Sequence, residues 1–378
     1  MTAALVHVAS FGLSLGATGV SVTYEPPDWV PIGLTPPRNR LLLAHLPTPM
    51  HKWLLPGNFP GVHASEVWIK RDDCTGCELS GNKVRKLEFL LADAVAQGCT
   101  DVITVGGIQS NHCRATAAAA RRVGLKPHLI LRAASAITDP GLVGNLLIDR
   151  LVGAELHLVN EDRFAARGGW GLCQDLKEEL EELGAKVYAF PSGGSNPLGT
   201  WGYIHGLAEI AAQAATSGLH FERIYFACGS GGTAAGLALG VHYAGLGASG
   251  TELVGLGVDD TPEFFYEKLR GIMRACHADF TDLQPRELLR IEQCVGDGYA
   301  ESTPAELEFI AEVARATGMC LDPVYTGKAA LGMVLDLEAR PVDGRVLFIH
   351  TGGLLGLYAK EDMLATLLSN SAANRNAV

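Results

Sequence analysis

The 378-residue chain reads as an α/β protein whose parallel sheets are crossed by helices. Three observations predict this. Short apolar runs alternate with helix-length amphipathic stretches along nearly the whole chain. The strand-like runs are apolar at consecutive positions and so suit burial on both faces. Glycine clusters at Gly106-Gly107, Gly193-Gly194, 229–232 and Gly352-Gly353 fall between strand-like and helix-like runs, as tight turns near a ligand do.

Size and composition bound the rest. With 48% hydrophobic and 19% charged residues, the chain can bury a large core as two domains or one large one. A net charge of −11 without a dense basic stripe argues against nucleic acid as a partner. Nine scattered cysteines, an odd number, argue against a secreted disulfide framework. Cys74 and Cys77 make one CxxC. A zinc ribbon needs a second such pair, so no metal site is expected, and a redox pair is the lesser reading. No apolar run reaches the ~20 residues of a membrane span, and a membrane partner is not expected. Residues 1–23 lack the basic start of a signal peptide and the arginines of a transit peptide. They read as a disordered lead or a targeting remnant. The expectation is an intracellular, soluble protein, with cytoplasm, mitochondrion and chloroplast all open. Residues 369–378 read as a frayed tail.

Taken in order, residues 24–60 are proline-rich and predict an extended arm wrapped on a domain. Residues 67–70 form a short strand. Residues 82–97 predict a helix, because Val84, Leu87, Leu90, Leu91, Ala94 and Val95 share a face and Gly98 ends it. A buried-type strand at 101–105 leads to an alanine-rich helix over 110–123, with Ser110 or Asn111 at its N-cap. Strands then follow at 128–132, 155–159 and 186–190, with helices at 140–151 and 171–183. A helix at 196–217, a strand at 222–227, a small-residue helix at 232–244 and a strand at 252–258 come next. Helices are expected at 262–276, 285–294, 304–317 and 328–337, then a last strand at 345–350 and a last helix within 353–368. No internal repeat is visible.

Five stretches carry chemistry. Lys83, in Ser80-Gly81-Asn82-Lys83, sits behind a glycine at a strand-to-helix junction, where a ligand can approach backbone and side chain together. Lysine also forms Schiff bases with carbonyl cofactors, although most lysines are solvated surface charges. Cys228-Gly229-Ser230-Gly231-Gly232-Thr233 follows a strand and opens a helix, offering backbone N–H groups to an anion. Gly229, Gly231 and Ala234 fit G-x-G-x-x-A, with Asp259 and Asp260 after the next strand. Phosphate monoester, dinucleotide and plain structural turn all stay open at this loop. Gly106-Gly107-Ile108-Gln109-Ser110-Asn111 is a second junction, suited to a carboxylate or simply to helix capping. Tyr325, in Asp322-Pro323-Val324-Tyr325-Thr326-Gly327-Lys328, offers a phenol for acid–base work or for a half-buried structural site. His350-Thr351-Gly352-Gly353 ends the final strand at a sheet edge, where α/β ligands bind.

These motifs, SGNKVRKLE, GGIQSN, the 228–233 loop, DPVYTGK and HTGG, together resemble the family of D-cysteine desulfhydrase and 1-aminocyclopropane-1-carboxylate deaminase, over roughly residues 26–358. The resemblance implies a pyridoxal 5'-phosphate (PLP) enzyme of the tryptophan-synthase-β fold (fold type II), with two three-layer α/β/α domains. A large PLP-binding domain would take residues 24–85 and 197–378, a small inserted domain 86–196, and the protein would be a homodimer. Lys83 would hold the cofactor as an imine and move the Cα proton. Lys86, Cys228, Gly229, Ser230, Gly231, Gly232 and Thr233 would hold the cofactor, chiefly at its phosphate, and Asn111 would bond its phenolic oxygen. Ser110, with Asn111 and His112, would meet the substrate carboxylate, with Ser110 a candidate acid, base or nucleophile. Tyr299 and Tyr325 would face the substrate. For His112, structural and functional roles stay open.

The deaminases resemble each other in carrying Glu after the tyrosine of DPVY and Leu before the paired glycines. This chain has Thr326 and Thr351 there, as the desulfhydrases do. A hydroxyl beside the pyridine nitrogen leaves it neutral and the ring a weaker electron sink, which suffices to expel a thiolate. The expected activity is therefore a carbon–sulfur lyase of D-amino acid metabolism, taking D-cysteine to pyruvate, hydrogen sulfide and ammonia. The cyclopropane deaminase is one alternative, and an NAD(P)-dependent oxidoreductase on the G-x-G-x-x-A loop is another.

Overall fold

The computed structural model describes residues 19–56, 59, 66–133, 139, 141–276, 283–365 and 368. Two sheets organise them. The larger holds, in spatial order, β11 (Arg290–Gln293), β10 (Glu252–Gly257), β9 (Arg223–Cys228), β12 (Arg345–Ile349), β4 (Glu66–Lys70) and β3 (Met50–Lys52). Every pair is parallel except β3 on β4. The smaller holds β7 (Glu155–Val159), β6 (Lys126–Arg132), β5 (Asp101–Gly107) and β8 (Val187–Ala189), all parallel.

Consecutive apolar residues in the strands are explained by helices on both faces. On the larger sheet, Ile224, Phe226, Leu347 and Ile349 pack against α5 (Pro197–Thr216), α6 (Gly232–Tyr243) and α7 (Pro262–Cys276). Their neighbours Tyr225, Ala227, Val346 and Phe348 pack against α9 (Pro304–Thr317) and α10 (Thr326–Ala339). On the smaller sheet, α1 (Lys83–Ala96), α2 (Asn111–Arg122) and α3 (Asn145–Leu151) cover one face, and α4 (Glu161–Glu182) covers the other. Both units are thus α/β/α sandwiches.

Several elements depart from the sequence reading. The stretch 285–294 is a single helical turn, α8 (Pro285–Leu288), followed by strand β11, not one helix. Pairing with β10 and the anchoring of Arg290 on Glu252 and Asp336 override the local helical pattern. The wrapping arm contains β1 (Val20–Thr23), β2 (Asn39–Leu42) and β3. Residues 20–23 therefore belong to a paired strand, not to a loose lead. Residues 1–18 and 369–378 lie outside the described residues, as does Pro140. Helix α3 starts at Asn145, after Gly144 turns the chain with φ 60°. Helix α4 starts earlier than expected, capped by Asn160, and bends at Gly168. The last expected helix is mostly 3-10 turn, Leu354–Lys360.

Candidate active site

The carboxyl ends of β4, β5, β9 and β12 open on one cleft, lined by residues from both sheets. Of the residues singled out in the sequence, Lys83, Ser110, Asn111, His112, Cys228, Gly229, Ser230, Gly231, Thr233, Tyr299, Tyr325 and Thr351 line it. Lys86, Gly232 and Thr326 are not among the lining residues.

Lys83 opens α1 behind Gly81, whose φ of 102° favours glycine. A Cβ at Gly81 would stand 2.7 Å from the Thr351 carbonyl oxygen, and the Asn82 amide donates to that same oxygen at 3.0 Å. The lysine turn is therefore seated on the end of β12. Desolvation, aided by Lys268, lowers the Lys83 ammonium to about 8.

The 228–233 loop turns at Gly231, with φ 86°, and enters α6. Its packing requires glycine: a Cβ at Gly232 would meet Ser195 Oγ at 2.8 Å and Lys86 Nζ at 3.0 Å. The Gly232 amide donates to Ser195 Oγ at 3.1 Å, and that hydroxyl bonds Ser230 Oγ at 2.8 Å. Lys86 is buried, and its Nζ donates to the Gly193 carbonyl at 3.0 Å. Burial and the nearby Lys83 hold its ammonium well below the ordinary range. Among the described residues no carboxylate pairs with Lys83 or Lys86. Two desolvated amines, a helix N-terminus and a hydroxyl cradle form a site short of negative charge. These residues fit the dianionic phosphate of PLP.

Ser110 caps α2, accepting from the Cys113 amide at 3.1 Å, and also lines the cleft. The Nε2 of His112 bonds Thr104 Oγ1 at 2.9 Å, and that hydroxyl donates to the Phe190 carbonyl at 3.1 Å. The hydroxyl has one proton, so His112 carries its hydrogen on Nε2. Burial and the two lysines push its pKa well below the ordinary value and keep it neutral.

The hydroxyls of Tyr299 and Tyr325 bond each other at 2.7 Å, and burial raises both phenols. Lys328 Nζ supports the Tyr299 turn by donating to the Gly298 carbonyl at 2.8 Å. Thr351 lines the cleft, whereas Thr326 is fully buried with its hydroxyl donating to Asp322 Oδ1 at 2.7 Å.

Sequence reasoning gave no site role to Asn82, Ser192 or Ser195. Asn82 Nδ2 donates to Thr233 Oγ1 at 3.1 Å and joins the lysine turn to the glycine loop. The Gly193-Gly194 pair marked this junction in the sequence, but a serine two residues on gave no separate signal. Asp259, which follows the strand after the glycine loop, also lines the cleft.

Two α/β/α units that bring a desolvated amine and a glycine loop to one cleft mark a cofactor-dependent enzyme. The chain belongs to the pyridoxal-phosphate dependent enzyme family, whose pattern it matches over residues 41–352. It is 50% identical over 354 residues to the bifunctional D-cysteine desulfhydrase/1-aminocyclopropane-1-carboxylate deaminase, mitochondrial, of Arabidopsis thaliana, covering 92% of this chain and 86% of that protein. A crystal structure of an ACC deaminase homologue superposes with a TM-score of 0.75 at 35% identity, covering 87% of this chain and 96% of that one. PLP is the cofactor of this family, which sets aside the nicotinamide alternative. Among the described residues no helix is long and apolar enough to cross a membrane.

Proposed function

We propose that the chain is a PLP-dependent carbon–sulfur lyase that converts D-cysteine to pyruvate, hydrogen sulfide and ammonia. The observation that carries this reading is Thr351 among the residues lining the cleft, at the position where the resemblance puts leucine in the deaminases, while Thr326 is buried and bonded to Asp322. When bound, PLP supplies an electron sink for the pair left at Cα. Lys83 would hold the cofactor and, as a free amine, would take the Cα proton. Lys86 and the glycine loop hold the phosphate. The helix α2 N-terminus, with Ser110 and Asn111, takes the substrate carboxylate. The Tyr299–Tyr325 pair stands ready to give a proton to the departing thiolate. The electron pair of the Cα–H bond forms the new double bond, the Cβ–S pair leaves with sulfur, and water releases pyruvate and ammonia.

A second reading, deamination of 1-aminocyclopropane-1-carboxylate, is favoured by the bifunctional name of the Arabidopsis protein and by the ACC deaminase homologue. Purified protein assayed for sulfide from each enantiomer of cysteine, and for 2-oxobutanoate from the cyclopropane, separates the two. Sulfide from D-cysteine is expected. Keto acid from the cyclopropane alone overturns the assignment, and so does a Lys83→Ala variant that keeps both yellow colour and sulfide release.

Three further points belong to this reading. Residues 24–85 with 197–378 form the large domain and 86–196 the small one, in keeping with the separate residue ranges of the two sheets. Limited proteolysis tests that division. The protein is a homodimer, and Leu142, Leu147 and Leu151 offer exposed apolar surface for it, at 58%, 44% and 76% exposure. Light scattering after size exclusion tests this. The word mitochondrial in the Arabidopsis name supports an organelle, tested by imaging the full chain.

A further inference from the structure

Behind the cleft lies a buried polar chain. Asn145, at the start of α3, is fully buried, as are Arg114 and Asp149. Arg114 Nε donates to Asn145 Oδ1 at 3.2 Å. Asn145 Nδ2 donates to the Gln109 carbonyl at 3.0 Å and to Asn111 Oδ1 at 3.0 Å. The orientation of each amide follows from its neighbours. A guanidinium has only donors, so it meets the oxygen of Asn145, not the nitrogen. A backbone carbonyl only accepts, so it meets the nitrogen. Turning Asn145 over would break every one of these bonds and set two pairs of like groups together. Asn145 must then present N–H to Asn111, which must answer with its oxygen. The polar atom that Asn111 keeps for the cleft is its NH2 group.

We propose that Asn145, fixed by Arg114, is a positioning residue that makes Asn111 an obligate donor toward the cleft, and so toward the phenolic oxygen of the cofactor. The inference rests on the PLP reading but not on the identity of the substrate. The same Arg114 also holds the lysine turn, donating from Nη1 to the Glu78 carbonyl at 2.5 Å and from Nη2 to the Ser80 carbonyl at 3.0 Å. One buried cation thereby sets both the donor and the backbone that carries Lys83.

The test is Asn145→Asp in the cofactor-loaded protein. A carboxylate still accepts from Arg114 but donates nothing to Asn111, whose amide must turn to donate backwards and show its oxygen to the cofactor. A phenolate facing an oxygen is disfavoured, so the visible band should fall relative to the near-ultraviolet band by about five-fold or more. In an Asn111→Ala background the same substitution should leave the ratio where Asn111→Ala alone puts it. A loss of packing alone would lower melting temperature without moving the ratio of the occupied sites. An unchanged ratio in Asn145→Asp, or a shift that persists without Asn111, overturns the proposal. Should the variant not fold, a neutron structure of the unaltered, cofactor-loaded protein decides. Deuterons on the Asn111 atom nearest the phenolic oxygen are expected, and an oxygen atom there refutes it. Colourless wild-type protein would instead sink the parent reading.

Discussion

Tyr299 precedes α9 in the chain and Tyr325 follows it, yet both line the cleft and their hydroxyls meet at 2.7 Å. Only one of the two can donate along that bond, so the other keeps a free proton or a free lone pair for a ligand. Burial keeps both phenols protonated through the neutral range. On the proposed reading the pair would serve as a proton source, not a resting base.

Removing either hydroxyl should therefore slow sulfide release. Tyr299→Phe and Tyr325→Phe are each expected to lower kcat by about a hundred-fold, the usual scale of a lost acid or base. The double variant should lose little more, because the two act as one unit. Steady-state kinetics with D-cysteine checks this, and simple additivity would contradict the shared role.

Lys83 gives a pH prediction. Its ammonium is held near 8, and only the neutral amine attacks a carbonyl. Cofactor-stripped protein mixed with PLP should colour faster as pH rises from 6, with the rate levelling above about 8.5. Stopped-flow absorbance measures the midpoint. A flat profile would mean that the amine is already neutral at pH 6.

The two threonines should behave differently. Thr326→Glu places a second carboxylate in a fully buried position against Asp322, so a loss of about 3 kcal/mol or more is expected on unfolding. Thr351→Val keeps shape and removes one hydroxyl from a residue that lines the cleft. It should melt close to wild type but change turnover and cofactor spectrum. Thermal denaturation and absorbance separate these outcomes.

Asp149 gives a stability prediction of definite sign. Neither of its carboxyl oxygens has a hydrogen bond among the described residues, and burial pushes the group up to about 7 from an ordinary 3.8, with Arg114 opposing. The unfolded chain ionises this group first. Stability contributed by the neutral form is thus complete below pH 4 and lost as pH climbs toward 7, by up to about 4 kcal/mol. Asp149→Asn should raise the melting temperature at pH 8 and leave it nearly unchanged at pH 4. A lower melting temperature at pH 8 would mean that the pair with Arg114 outweighs the desolvation.

Much of this was legible before any coordinates. Strand-to-helix glycines marked the cleft because only Gly fits where backbone passes backbone, as at Gly81 and Gly232. Paired apolar faces gave the parallel sheets. What stayed hidden depended on partners distant in sequence. Strand β11 exists because β10 offers it an edge. Ser195 matters because Gly232 lies across from it, 37 positions on. The separation of Thr326 from Thr351 turned on one carboxylate, Asp322, which no spacing rule singles out.

Gly81 and Gly352 leave no room for a side chain on either: a Cβ at Gly352 would stand 2.6 Å from the Gly81 Cα. The turn that carries Lys83 thus waits for a floor supplied by the end of β12, far downstream in the chain. During synthesis the nascent chain would carry an unformed centre until β12 has emerged from the ribosome. The cell would then be spared a half-made catalyst releasing a toxic gas.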